Sequence, residues 1–503
     1  MSFKNVLTTF SETTCLLEHL FIEHFTISES ETKVKEYLEQ VYQIIGSTLK
    51  ESLAYYKRHC DALRDDLYVY LEYPYVDKAY RDTYYTYFAS KLDAFPRNSI
   101  RLSFFNRRIE EDEFRKIAEL HSIQEAYLGF LAIRPTFPKI IGRNVIHPSA
   151  FKNADHIGCK VEYNATANCI KFKATGFPHS SQDGETISCA ETTVWSILEY
   201  FGHKYSEYKP SLPSQVNAIL SRFSFERLVP SKGLTASQIS YALREYGFGV
   251  KIYSKSAYPD NYYRILRAYI ESGIPVVGVL QNTTGTGHAV NIIGREKLTQ
   301  EALNSLAMCE SFGNRVNVFD FGDLDLKCAF IDDNYPPYQM TSLSTPVSYY
   351  SDPKFAGCEL TNFIVPLYPK IYLEAGEART ISITVIKKLK LLVNKDILIK
   401  CFLMSSRTFK NELSLNTSID LVVKELLLAK AMPKFIWVTE ISDRTMILND
   451  LVQGMIVLDA TEPKRLGILA AVLENTFLSK DLTSLQKISV NLTPFQGFVN
   501  NLK

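Results

Sequence analysis

Two apolar runs, IPVVGVL (274–280) and HAVNIIG (288–294), are joined by the short polar loop QNTTGTG. Both runs read as strands. FGVKIY (248–253) and LKCAFID (326–332) read as further strands. HIGCKVEYNATANCIKFKAT (156–175) alternates on both arms like a β-hairpin. CAETTVWSILEYFG, which Gly202 ends, places Val194, Ile197, Leu198 and Phe201 on one helical face. Thr235 and Gln238 form a capping box for a second helix stopped by Gly247, and a third near 261–271 closes at Gly273. The fold class is therefore α+β.

The flanks are less patterned. Residues 30–66 carry charges at helical spacing, so 1–150 reads as a helical to mixed region, with strands at 100–105 and 126–135 and a charged helix near 109–121 between them. Eight tyrosines fall between Tyr68 and Tyr87, a semi-buried packing surface rather than a base-stacking platform. A core is expected over 151–370, with a helical insert near 298–310, and a mixed α/β region over 371–503. In the last region KFIWVTEIS and GMIVLDAT read as strands and RLGILAAVLENTF as a helix. No repeat or low-complexity linker separates these parts, which predicts packed subdomains.

Composition narrows the function. Lys and Arg number 56 against 55 Asp and Glu, a net charge of +1 that argues against a nucleic-acid partner. The first thirty residues show no signal-peptide core, and no run approaches the ~20 apolar residues of a membrane span. Nine scattered cysteines contain no C-x-x-C pair, so a cytoplasmic location with reduced thiols is expected. Nucleotide-binding glycine loops, H-E-x-x-H and G-x-S-x-G are all missing, and no cofactor is expected. His156, Cys159, Cys169 and His179 have the wrong hairpin registers for a tetrahedral metal cage.

Cys189 is the thiol whose setting suggests chemistry. Ser188 and Glu191 form S-x-x-E, making Ser188 the N-cap and Cys189 the first helical residue. Unpaired N–H groups and the helix dipole there favour a thiolate. His288 opens a strand after Gly285-Thr286-Gly287, placed to act as base toward a thiol. Asp332, Asp333 and Asn334 close the strand CAFI, where a group orienting the imidazole belongs, although they also suit an ordinary turn before Pro336. Alternation puts Asp332 and Asp333 on opposite faces, so only one is expected to serve. Gln182, seven residues before Cys189, is a candidate oxyanion donor.

The order Gln, Cys at a helix start, His on a strand, Asp at the next strand end resembles the papain-like cysteine peptidase superfamily. The resemblance is closest to its bacterial branch that includes double-glycine leader peptidases. It rests on GHAVNIIG and on IKFKATGFPHSSQDGETISCAETTVW, and covers about 157–340. It implies a papain-like core, with a Cys-bearing helix packed on an antiparallel sheet that bears His and Asp. It also implies Cys189 as nucleophile, His288 as base, Asp333 (alternatively Asp332) as orienter and Gln182 as oxyanion donor. The activity implied is hydrolysis of an amide bond in a peptide or protein substrate. Deamidation, acyl transfer, isopeptide cleavage and a catalytically silent binding module are the alternatives. The sequence departs from the family in having Cys189-Ala190-Glu191 where many relatives have Cys-Gly-Pro, and in setting Gln182 one residue further from the cysteine. The flanks are expected to build cleft walls or a partner surface.

Overall fold

The computed structural model describes residues 21–499 and 502, apart from 94, 111, 154, 225–227, 231–232, 314, 464–466 and 481–484. It is a mixed α+β protein built on three main sheets. The first comprises β1 (Phe21–Thr26), β2 (Tyr68–Tyr75), β3 (Ser99–Phe105), β4 (Tyr127–Ile133) and β5 (Ile141–Ile146), antiparallel in chain order. Helices α1 (Ser30–Gln40) and α2 (Gly46–Ala62) cross between β1 and β2. The N-terminal region is thus a sheet carrying helices, with strands at both expected places and three more beside them. The tyrosine-dense stretch splits into β2 and a helix at Lys78–Thr86, where Asp77 caps Ala79 and Tyr80. Tyr70, Tyr73 and Tyr80 are buried in packing, while Tyr85 stays exposed. The expected charged helix before β4 is two short 3-10 turns and a helix at Leu120–Ala126.

The second sheet holds the central strands. β6 is His156–Gly158, β9 Gly249–Ser254, β10 Val276–Gln281, β11 Gly287–Glu296, β14 Cys328–Ile331, β15 Gln339–Thr341 and β16 Glu359–Leu367. Their order is β15-β14-β11-β10-β16-β9, all antiparallel, with β6 also on β11. β7 (Val161–Ala167) and β8 (Ile170–Gly176) form the hairpin read from the sequence. Asn168 and Cys169, both at positive φ, make its two-residue turn. Helix α3 (Cys189–Lys204) runs two residues past Gly202.

The third sheet contains β12 (Met308–Phe312), β13 (Val316–Asp320), β17 (Lys395–Ser405), β18 (Phe435–Ser442), β20 (Gly454–Asp459), β21 (Ile468–Leu473), β22 (Thr476–Lys480) and β23 (Leu485–Ser489). A two-stranded pair, β19 (Leu451–Val452) with β24 (Phe495–Gln496), lies beside it. β13 pairs parallel to β17, so a hairpin from within 151–370 belongs to the C-terminal sheet. The expected helical insert near 298–310 reduces to a helix at Gln300–Asn304. The run at 465–477, expected to be a helix, contributes β21 and the start of β22, with Glu474 at φ 49° in the turn. Ala470 and Val472 enter one core, Ala471 and Leu473 another. Burial on both faces removes the alternation that marks a strand, and leaves a run that also suits a buried helix.

Two large cores meet across the central sheet. Ala289 and Ile293 of β11 pack with α3 and with the N-terminal layer, including Tyr56, Leu102 and Phe130. Val290 and Ile292 face the other way, toward Trp437 and Ile456 of the third sheet. Among the described residues, no helix is long and apolar enough to cross a membrane.

Candidate active site

Cys189 opens α3 as expected. Ser188 is extended (φ −100°, ψ −171°), and Glu191 accepts from its backbone N–H at 3.2 Å and from its hydroxyl. The carboxylate that departs from the family pattern is therefore engaged at the helix start. The Thr193 hydroxyl donates to the Cys189 and Ala289 carbonyls (2.7 and 3.1 Å), and Asn291 Nδ2 donates to the Thr193 carbonyl (3.1 Å). These bonds dock the first turn of α3 against β11.

His288 sits at the open end of β11 beside the half-buried Cys189, whose thiol is among the groups that raise the imidazole pKa. Its Nε2 lies 3.0 Å from Asp332 Oδ1 and 3.8 Å from Asp333 Oδ1. The hydrogen-bonded carboxylate is thus Asp332, which corrects the preference for Asp333. The register gives the reason. Ile292, on the His288 face of β11, pairs with Phe330 of β14, and Asp332 continues the Phe330 face. The chain leaves the strand after Ile331, so Asp333 also comes within 3.8 Å of the imidazole, but only Asp332 is hydrogen-bonded to it, in line with the expectation that one carboxylate serves.

Two tyrosines that sequence reasoning missed complete the site. Tyr350 and Tyr349 both donate to Asp332 Oδ2 (2.6 and 2.8 Å), and the Tyr350 oxygen lies 2.9 Å from His288 Nε2. The Asn334 backbone N–H donates to Asp332 Oδ1 at 2.9 Å. Phe355 packs edge-on to the imidazole, and Tyr335, Tyr349 and Tyr350 pack on one another over it. The only trace in the sequence is a local richness in aromatics at 335–355. Gln182 Nε2 donates to Asn334 Oδ1 (2.8 Å), and Asn334 Nδ2 donates to the Tyr350 hydroxyl (3.3 Å). Gln182 is therefore joined to the same network.

Electrostatics separate the three ionisable groups. Burial alone would depress the His288 pKa, but the Asp332 charge and the hydrogen bonds to Asp332 and Cys189 hold it well above the usual value. Burial would raise Asp332, but His288, Tyr350 and the Asn334 N–H bring it below the carboxylate range. Asp333 is raised, first by burial and further by the Asp332 charge, against the pull of His288. Tyr350→Phe leaves Asp332 Oδ2 with one donor, at an expected cost of about 1.5–3 kcal/mol. Because the folded-state pKa of Asp332 is depressed, that deficit is full at neutral pH and fades as pH falls through the acid range. Urea denaturation of both proteins at several pH values measures it.

The turn itself is held from behind. Its three consecutive carbonyls each accept a hydrogen bond: Asp332 O from His179 Nε2 (2.9 Å), Asp333 O from the Tyr55 hydroxyl (3.1 Å) and Asn334 O from Arg58 Nη1 (3.2 Å). Tyr55 and Arg58 belong to α2, in the N-terminal layer. Burial lowers the His179 pKa to about 4, so at neutral pH its ring is uncharged. Nδ1 then accepts from Asn144 Nδ2 (2.8 Å) and Nε2 donates to the turn. Of the four residues weighed as a metal cage, Cys169 is exposed at the hairpin tip, whereas His156, Cys159 and His179 are buried. Among the described residues, His288, Asp332 and Asp333 offer ligand atoms within 4.8 Å of one another. Nε2 and both Asp332 oxygens are already hydrogen-bonded, which makes this set a proton network first.

Neither the scan against protein-family models nor the search of curated proteins finds a match to this chain.

Proposed function

We propose that this chain is a papain-like cysteine hydrolase that cleaves an amide bond in a peptide or protein. The observation that carries the reading is the grouping of Cys189, at the start of a buried helix, with His288, whose Nε2 lies 3.0 Å from Asp332 Oδ1. Asp332 occupies Nε2, which leaves Nδ1 for the thiol. With the imidazole protonated and the thiol ionised, the Cys189 sulfur attacks the carbonyl carbon. The developing oxyanion falls near the Cys189 backbone N–H and the Gln182 amide, which has a second N–H beyond the one given to Asn334. His288 then protonates the leaving amine as the C–N bond breaks and a thioester forms. Neutral His288 takes a proton from water, which hydrolyses the thioester and restores the thiol. Asp332 keeps the imidazole oriented and balances its charge throughout.

Incubation with peptide thioesters and activated esters, followed by intact and peptide mass spectrometry, tests this reading. The expected result is transient acylation of Cys189 and release of the free acid, both absent in Cys189→Ala. An amine adduct instead of the acid makes the chemistry acyl transfer. No acylation with any ester makes the site a binding module.

A further inference from the structure

Asp333 is the unexplained carboxylate of this site. Its side chain is 2% exposed, and neither carboxylate oxygen has a hydrogen-bond partner. Its backbone is firmly placed by Tyr55, so the side chain is not adrift. The groups that face it are His288 from β11, Asp332 from the same turn, Tyr55 from α2, Tyr349 from the loop before β16 and Lys139 from the segment before β5. Only His288 comes within ion-pair distance among the described residues. An anion here would be buried, with no donor beyond its own backbone N–H, beside a second anion. Each of these conditions favours the neutral acid.

We propose that Asp333 carries a proton in the resting site and is a positioning residue that sets how tightly His288 holds its own. The role rests on the Cys189–His288–Asp332 reading and deepens it. While Asp333 is neutral, Asp332 alone claims Nε2, and the imidazolium can release its proton to a leaving group. When Asp333 ionises, a second negative charge stands 3.8 Å from Nε2 and the imidazolium persists to higher pH. The two carboxylates thus divide the work: one orients the base, the other adjusts its strength with pH.

The test follows the imidazole directly. Full-length protein labelled with 13Cε1-histidine is titrated, and the His288 signal is assigned by its loss in His288→Gln. Two inflections are expected in the wild type, the larger from His288 and the smaller from Asp333. Asp333→Asn removes the smaller one and lowers the His288 midpoint by about one pH unit. Asp333→Glu, which restores the charge, restores the second inflection. A single inflection in the wild type, or an unchanged His288 midpoint in Asp333→Asn, overturns the proposal. The wild-type curve alone decides if the variants do not fold. Iodoacetamide labelling of wild-type Cys189 at pH 6 separates the two levels. Rapid labelling with a single inflection defeats only the Asp333 role. Slow labelling with no imidazolium defeats the catalytic pair and this role together.

Discussion

His288→Ala slows the alkylation of Cys189 by iodoacetamide at pH 6 by roughly two orders of magnitude. An isolated thiol with pKa about 8.5 is well under 1% thiolate at that pH, whereas a thiol paired with an imidazolium is largely ionised. The imidazolium is present at pH 6 because Asp332 holds the His288 pKa high. The advantage is therefore full below that raised pKa and is lost as pH climbs through it. By pH 9 the two proteins should react within a few-fold of each other. Peptide mass spectrometry distinguishes Cys189 from the other eight cysteines. Equal rates at pH 6 would remove the nucleophile–base pair, and the enzyme reading with it.

A fragment comprising residues 151–370 does not fold on its own. The expectation that the flanks wall a cleft or meet a partner leaves out their larger task. Leu38, Tyr56, Leu71, Leu102, Phe104, Phe130, Ile133 and Val145 of the N-terminal layer share one core with Val161, Phe172, Val194, Ile197, Ala289 and Ile293. Fully exposing one such side chain costs about 1.5–3 kcal/mol. Losing half a dozen of these contacts costs about 9–18 kcal/mol, as much as the roughly 5–15 kcal/mol that typically separates folded from unfolded states. The cut also strips Tyr55 and Arg58 from the Asp332–Asn334 turn and parts β13 from β17. Thermal melts by circular dichroism should show no cooperative transition for the fragment. A fragment that melts sharply and labels Cys189 at the full-length rate would refute the shared-core account.

The parts of the site legible in the sequence are those governed by local rules. Ser188 and Glu191 mark the start of α3 because capping is a contact between residues three apart. His288 is visible because glycines precede it and alternation follows. Choosing between Asp332 and Asp333 needs the register of β14 against β11, which is fixed by pairing between distant segments. Tyr349 and Tyr350 lie about 60 residues beyond His288 on a loop, where no spacing rule applies. The parallel pairing of β13 with β17 and the two-faced burial of β21 are likewise invisible to local pattern. The α+β class survives such errors, since it depends only on which element types occur.

The β13–β17 pairing has a cost in time as well as in topology. β13 ends at Asp320, and β17 begins at Lys395, about 75 residues later. At an elongation rate of about 5–20 residues per second, the β12–β13 hairpin is made roughly 4–15 seconds before its partner strand exists. During that interval it presents an unpaired edge, the kind of surface on which nascent chains misassociate. The strand that ties the central region to the C-terminal sheet thus spends that interval without its parallel partner, which makes the junction a natural station for a chaperone.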